Sequence, residues 1–224
     1  MKRQRIGGFA LSLVLAATSY GGPRSSGVPQ TMNERTITIR IRNYAQVKPS
    51  VLLSAERAAA QMLREAGVDS VWIECQAGQS ELPEAACTSP ETPLDLVLKL
   101  VPRSNVQRLH FRDEILGLAI ETTGKDFGLF AYVYYDNVKD CAVHRRLDLA
   151  VLLGDAIVHE LAHLLLGANS HSSQGVMHAC WSQKELLAAE QGRLSFSSSE
   201  RNRLQIALTA RTSARLERRT VVPD

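Results

Sequence analysis

The chain has 224 residues, with 26 Lys and Arg against 23 Asp and Glu and a formal net charge of +3 at pH 7. This length suits one domain with a sizeable core. A nearly balanced charge provides no basic footprint, which excludes nucleic acid as the main partner.

The N-terminal segment has the layout of a secretory signal peptide. Basic residues at positions 2, 3 and 5 precede a short apolar run that ends in small residues near Ala17. This run is too short to span a bilayer. We expect residues 1–22 to be removed on export, which leaves 26 − 3 = 23 basic residues against 23 acidic ones. The mature protein is predicted to be secreted, to the exterior or the periplasm, without a membrane anchor.

Residues 23–33, rich in Gly, Pro and Ser, read as a flexible lead-in. Residues 34–224 are then expected to form a single domain. In its first half, apolar residues recur with the period of a strand in some segments and of a helix in others. The pattern predicts a helix after Pro49 that Gly67 can stop, and strands at residues 36–42, 70–75, 94–101, 117–121 and 129–135. The last two strands are predicted to pair as a hairpin.

Residues 147–166 are predicted to form a central apolar helix that carries the pattern H-E-x-x-H. His159 and His163 are four residues apart, so one divalent ion can contact both rings. Glu160 is rotated by about 100° from His159, which places its carboxylate beside the ion, where it can hold a water. Zinc with an open coordination position lowers the pKa of a bound water to roughly 7, and a neighbouring carboxylate can take the proton. The pattern therefore predicts a hydrolytic zinc site.

The sequence after this helix offers a third ligand. Gly167 can end the helix in a left-handed cap, a short turn follows, and His171 then comes within reach of the ion. Three of the six histidines of the chain fall within residues 159–171. A glutamate of the next helix, Glu185 or Glu190, is an open alternative, because some zinc enzymes use two histidines and a glutamate.

A secreted binding module with a purely structural zinc is a second alternative, from a different class of protein. A structural ion needs no base and is usually closed by four protein ligands. The presence of Glu160 therefore favours a catalytic site.

These residues resemble the metzincin zinc peptidases, whose pattern is H-E-x-x-H-x-x-G-x-x-H followed by a methionine turn. The segment from His171 to Met177, with Ser-Ser after the histidine and Gly-Val before the methionine, looks like the matrixin branch of that family. It also resembles small secreted bacterial zincin-like proteins. Three residues rather than two separate His163 from Gly167, and three rather than two separate Gly167 from His171. The linker to the third histidine is therefore two residues longer than in the family.

The resemblance implies an α+β, zincin-like fold of metzincin type, in which helices back a twisted mixed sheet and the zinc helix is central. Residues 117–121 would then be the antiparallel edge strand that borders the cleft. It also implies a Zn²⁺-dependent peptidase that acts on peptides or proteins. In that family scheme Glu160 is the base, Met177 is an apolar floor under the metal, and the ligands are His159, His163 and His171.

Four cysteines in a secreted chain predict two disulfides. We favour Cys75–Cys87, which closes a short loop containing Pro and Ser. The second pair, Cys141–Cys180, would tie the segment before the zinc helix to the segment after the methionine.

The other polar residues near the motif are not expected to be metal ligands. Asp155, one turn before His159, is either a helix residue or a hydrogen-bonding partner that orients a ligand. His178 is expected to point away from the metal, and His110 and His144 are expected at the surface.

Two more helices are predicted by capping boxes at residues 182–185 and 197–200, and Gly192 can stop the first. The last helix is rich in arginine. We interpret its arginines as a solvated face rather than a docking patch for an acidic surface, because the net charge is balanced.

Overall fold

The computed structural model describes residues 35–75, 87, 92–104, 115–120, 127–167 and 169–221. The predicted signal peptide, the lead-in and His110 lie outside these residues. The described residues belong to one compact unit, Met32–Asp224.

Five strands and five helices alternate irregularly along the described residues. In chain order they are β1 (Ile37–Asn43), α1 (Pro49–Glu65), β2 (Ser70–Glu74), β3 (Asp95–Val101), β4 (Gly117–Ile120), β5 (Phe130–Tyr134), α2 (Tyr135–Arg145), α3 (Leu149–Leu166), α4 (Gln183–Glu190) and α5 (Ser198–Val221).

The strands form one mixed sheet in the order β2-β1-β3-β5-β4. All neighbouring pairs are parallel except β4 and β5, which run antiparallel with Gly117 opposite Val133 and Ile120 opposite Phe130. The predicted hairpin-like pairing is therefore confirmed, and so is the position of β4 at the edge of the sheet. Strand β3 is almost wholly buried, and β1 has no exposed residue, as expected of central strands covered by helices.

Helix α3 is the central helix, and 72% of its residues are buried. Its length and hydropathy would also suit a membrane span, but in this fold its apolar surface is covered by protein. Helix α3 approaches α1 closely at Gly154, where a Cβ atom would lie 2.8 Å from the carbonyl oxygen of Ala55. The absence of a side chain at this position lets the two helices pack closely, which fixes α3 against the core.

Helix α2 is an element that the sequence patterns did not reveal. It starts at Tyr135, directly after the last residue of β5, and no glycine or proline separates the two elements. Only Asn137, Val138 and Ala142 are buried along it, so its apolar periodicity is weak. It ends at Arg146, whose φ of 57° lies in the left-handed region.

One of the two predicted disulfides is formed. Cys75 and Cys87 are bonded, with Cα atoms 5.4 Å apart. The prediction of a Cys141–Cys180 bond is wrong in this structure, where both residues are free thiols. The unforeseen helix α2 holds Cys141 half-buried against the core, and this burial raises the pKa of its thiol. Cys180 lies exposed in the segment before α4, so the two belong to separate elements.

The interpretation of the last helix as a solvated basic face is wrong at Arg211. Its side chain is only 1% exposed and donates to the backbone carbonyls of Pro93, Gly128 and Leu164. The guanidinium also lies 4.8 Å from the ring centre of Phe127, a cation–π distance. Burial lowers the pKa of Arg211 to about 10, which still leaves the group charged at neutral pH.

Helix α5 also caps two other helices. Arg203 donates to the carbonyl of Leu166, and Gln205 donates to the carbonyls of Ala66 and Gly67. The last carbonyls of a helix have no partner within it, and a cation there interacts favourably with the helix dipole. Helix α5 therefore stabilises the C-terminal ends of both α1 and α3.

Replacing Arg211 should strongly destabilise the fold. Arg211→Met fills similar space but leaves three backbone carbonyls without their donor, at about 1–3 kcal/mol for each buried unsatisfied group. We expect the free energy of unfolding to fall by about 3 kcal/mol or more, measured by urea denaturation. The matched control is Arg218→Met, at an exposed arginine of the same helix. Equal midpoints for the two variants would contradict the role assigned to Arg211.

A second stability effect depends on pH. Burial, and then the charge of Glu74, raise the pKa of Glu56 on α1 to about 7. One carboxylate oxygen of Glu56 is buried without a hydrogen-bond partner among the described residues. Between its unfolded pKa of about 4.3 and about 7, the folded state keeps a proton that the unfolded state has released. Stability therefore falls as the pH rises through this window.

Glu56→Gln removes this dependence, because the amide does not ionise. We expect the variant to melt a few degrees above the parent at pH 8, a modest shift because solvent partly screens the group. At pH 4 the two proteins should melt at nearly the same temperature. Thermal unfolding followed by circular dichroism at both pH values checks this, with the exposed Glu190→Gln as control. The same difference at both pH values would show that ionisation of Glu56 is not the cause.

Candidate metal centre

Three histidine side chains meet at the end of α3. The Nε2 atom of His163 lies 3.1 Å from Nε2 of His159 and 3.1 Å from Nε2 of His171. His159 and His163 share one face of the helix, as their spacing predicts, and His171 follows the helix in the next loop. Within the described part of the chain, no other cluster of three or more His, Cys, Asp or Glu side chains could hold a metal ion.

The hydrogen bonds on the far side of the rings orient the cluster. Nδ1 of His159 lies 2.7 Å from the carbonyl oxygen of Val176. Because a carbonyl only accepts, His159 donates through Nδ1, and its Nε2 carries a lone pair in the neutral ring. Nδ1 of His163 lies 2.9 Å from the fully buried hydroxyl of Ser170. Partners of this kind fix ring orientation in metal sites.

The spacing of the three nitrogens lets them share one divalent ion. A tetrahedral zinc ion with Zn–N distances of about 2.0–2.1 Å holds its ligand nitrogens roughly 3.3–3.4 Å apart. Two of the separations are 3.1 Å, and all three ligand atoms lie within 4.8 Å of one another. Lone pairs directed at one another at this distance repel unless a proton or a cation lies between them. The donor set, three imidazoles and no thiolate, suits zinc among other divalent metals.

The longer linker closes through two unusual backbone conformations. Gly167 has φ of 79° and ψ of −172°, a combination that essentially only glycine adopts. This is not the left-handed cap that the sequence predicts, although the residue does end α3. Asn169 has φ of 57°, in the left-handed region that asparagine tolerates. Two sharp changes of direction return the chain, so His171 reaches the other two rings.

Glu160 lies beside the cluster and is only 6% exposed. Burial raises the pKa of its carboxyl to about 8, against the opposing effect of a hydrogen bond from the backbone N–H of Ala119 in β4. The edge strand approaches so closely that a Cβ atom on Gly117 would lie 2.5–2.7 Å from the Glu160 side chain. A glycine at this point of β4 is therefore what allows the carboxylate to lie between the helix and the strand.

Two of the three rings in the cluster have lowered pKa values. Burial, and then the neighbouring rings of His159 and His171, lower the pKa of His163 to about 3. Burial is also the main cause that lowers the pKa of His159. Both rings are thus held as neutral imidazoles, the form that binds a metal.

The cluster and Glu160 open into a cavity of about 900 Å³. Strand β4 forms one side, and helix α2 and the segment before α4 contribute other lining residues. Apolar and polar side chains alternate along its walls, including Leu116, Leu118, Asn137, Cys141, Arg145, His178 and Trp181. A cleft of this size, bordered by a sheet edge, can accept an extended peptide.

Two residues named by the sequence patterns have buried positions near the cluster. Met177 is 0% exposed and belongs to the main core. Asp155 is also buried, its pKa is raised to about 7 by that burial, and one of its oxygens has no partner among the described residues. The contacts that orient the ligands come instead from Ser170 and from the carbonyl of Val176, which the patterns did not single out.

Glu185 does not join the metal cluster. Its carboxylate accepts from the backbone N–H and the hydroxyl of Ser182, in the capping box that opens α4. These hydrogen bonds, that of the Ser182 hydroxyl first, lower its pKa. His178 is not part of the three-histidine cluster, and its Nδ1 lies 3.4 Å from Oε2 of Glu185. His144 is exposed, as expected.

No protein-family model matches the chain, and no curated protein matches it. Among solved structures, archaemetzincin from Methanopyrus kandleri is similar with 16% identity and a TM-score of 0.49, over 81% of this chain and 99% of that chain. TM1509 from Thermotoga maritima is similar with 12% identity and a TM-score of 0.33, over 83% of this chain and 97% of that chain. Both scores lie below 0.5, so function has to be inferred from the side chains of this chain.

The identity of the third ligand can be tested by zinc affinity. We expect His171→Ala to weaken zinc binding by more than the roughly 10–100-fold typical of an indirect partner. Glu185→Gln should bind zinc like the parent, because glutamine can keep the capping box. Competition with a chelating dye measures both constants, after circular dichroism has checked folding. Normal affinity for His171→Ala together with weak binding by Glu185→Gln would show that the glutamate is the ligand.

Proposed function

We propose that the protein is a zinc-dependent peptidase of zincin-like fold, and that it acts after export. One observation carries this proposal: three imidazole Nε2 atoms converge beside a buried carboxylate, in a cavity bordered by the edge of a sheet. The H-E-x-x-H pattern and its resemblance to metzincins support the same conclusion from the sequence.

The zinc ligands in this proposal are His159, His163 and His171. Three protein ligands leave a coordination position open, which is typical of catalytic rather than structural zinc. When bound, Zn²⁺ supplies a Lewis acid that acidifies a water molecule and polarises the carbonyl of the substrate. Val176 and Ser170 hold the rings of His159 and His163 in the orientation that keeps Nε2 directed at the ion.

Glu160 is the proposed proton carrier. Its carboxylate takes a proton from the attacking water and passes it to the amine that leaves when the C–N bond breaks. The backbone N–H of Ala119 and the space above Gly117 hold the carboxylate in place. A group so placed typically contributes about 10²–10⁴-fold in rate.

Strand β4 is the proposed docking edge for the substrate. It pairs only with β5 in the described sheet, and Leu118 and Ala119 line the cavity. An extended peptide can add to such an edge through main-chain hydrogen bonds. This mode of binding selects for an extended backbone rather than for one particular side chain.

Export is supported by the Cys75–Cys87 disulfide, because such bonds persist in oxidising compartments such as the periplasm or the cell exterior. The charged and apolar pattern of residues 1–22 supports the same assignment.

Glu160→Gln tests the chemistry. We expect it to retain zinc and to lose turnover by about 10²–10⁴-fold, because the amide cannot accept the proton. The exported protein is incubated with a mixed peptide library, and cleaved bonds are read by mass spectrometry with and without chelator. Zinc content by atomic absorption is the control. Equal cleavage by variant and parent would contradict the peptidase assignment, and zinc binding without any cleavage by the parent would favour a non-catalytic zinc module.

A further inference from the structure

The proposed peptidase chemistry leaves one role without a residue. When water adds to a peptide carbonyl, negative charge develops on its oxygen, and enzymes place hydrogen-bond donors at that point. Within the described residues, few side-chain N–H donors other than the three histidines of the cluster line the cavity. They can be sorted by whether they already have a partner.

Three of these donors are engaged elsewhere. The side-chain amide of Asn137 donates to the carbonyl of Ile115 and accepts from Nε of Arg103. Arg103 also forms an ion pair with Asp140. The indole N–H of Trp181 donates to the carbonyl of Val176. These groups build the wall of the cavity.

Arg145 and His178 remain, and they differ in how firmly they are held. Arg145 is exposed at the last residue of α2, so ordering its long side chain costs conformational entropy. The side chain of His178 is 28% exposed, and its Nδ1 atom is buried without a hydrogen-bond partner among the described residues. A largely buried ring loses less conformational freedom than a long exposed side chain when it contacts a substrate.

Glu185 determines which edge of the His178 ring is free. Nδ1 faces Oε2 of Glu185 at 3.4 Å, and Ser182 holds the carboxylate through its N–H and hydroxyl. Glu185 is only 4% exposed, so its position is fixed by the fold. Since the Nδ1 edge is buried and His178 lines the cavity, the exposed edge of the ring is the one that carries Nε2.

We propose that His178 is a catalytic residue of the peptidase, which donates a hydrogen bond from Nε2 to the oxygen of the tetrahedral intermediate. Glu185 is its positioning residue. Both ring nitrogens carry hydrogen only in the protonated ring, and in that form Nδ1 faces the carboxylate while Nε2 is a donor. A donor of this kind would carry positive charge to the place where the substrate becomes negative.

A tetrahedral anion tests this role without turnover. We would measure by calorimetry the binding of zinc-loaded protein to a phosphinic peptide, in which a phosphinate replaces the scissile amide. His178→Ala should weaken this binding by about 10²-fold, the lower end for loss of one such donor. His178→Arg, which keeps a cation able to pair with Glu185, should recover most of the affinity. Glu185→Gln, which keeps the capping box but removes the charge, should fall between them.

The control is Arg218→Gln, at an exposed arginine outside this cavity, which should bind like the parent. Arg145→Gln removes another cation that lines the cavity and should lose less affinity than His178→Ala. In library cleavage, His178→Ala should lower kcat and leave KM and zinc content unchanged. Unchanged phosphinate affinity in His178→Ala, or a larger loss in Arg145→Gln, would overturn the proposal. The inference about His178 rests on the proposed function, but different results would contradict the two. A parent that binds phosphinate through His178 but cleaves nothing refutes the peptidase and keeps the donor, whereas an active His178→Ala refutes the donor alone.

Discussion

Nε2 of His163 lies 3.1 Å from the Nε2 atoms of both His159 and His171. These short contacts between ring nitrogens constrain how the surrounding residues must pack. Lone pairs of neutral imidazoles that face one another repel, so the rings of His159 and His163 must be held from behind. The carbonyl of Val176, the hydroxyl of Ser170 and the close packing of α3 do this. A cation at the centre would convert that repulsion into binding, and metal affinity would then depend on the rigidity of the surrounding fold.

That rigidity comes from the ends of α3 as much as from its middle. Gly154 lets α1 approach the helix closely, and arginines of α5 bind the carbonyls of its last turn. The arginine-rich helix therefore belongs to the architecture of the metal centre, although it contributes no ligand. Buried arginine is costly unless each donor finds a partner, and here Arg211 finds three carbonyls.

The sequence was most informative where periodicity or spacing has one structural meaning. The alternation in β1, the edge hairpin and the histidine spacing on α3 could all be predicted, because each follows from local geometry. Helix α2 could not, since it follows β5 without a punctuating residue and buries few side chains. The free thiols of Cys141 and Cys180 and the burial of Arg211 depend on distances across the fold. The pairing of His178 with Glu185 depends on the same kind of long-range packing, which no spacing rule encodes.

The carbonyl of Val176 accepts from both Nδ1 of His159 and the indole of Trp181. The indole ring also stands edge-on to the imidazole of His159, 6.0 Å between centres. The chain has two tryptophans, and the other, Trp72, lies in β2 at the opposite edge of the sheet. Indole emission responds to the charge and mobility of its neighbours, so filling the histidine cluster changes the optical environment of one tryptophan and leaves the other as an internal reference. Trp181 would thus serve as a built-in fluorescent indicator of a metal ion bound at the cluster.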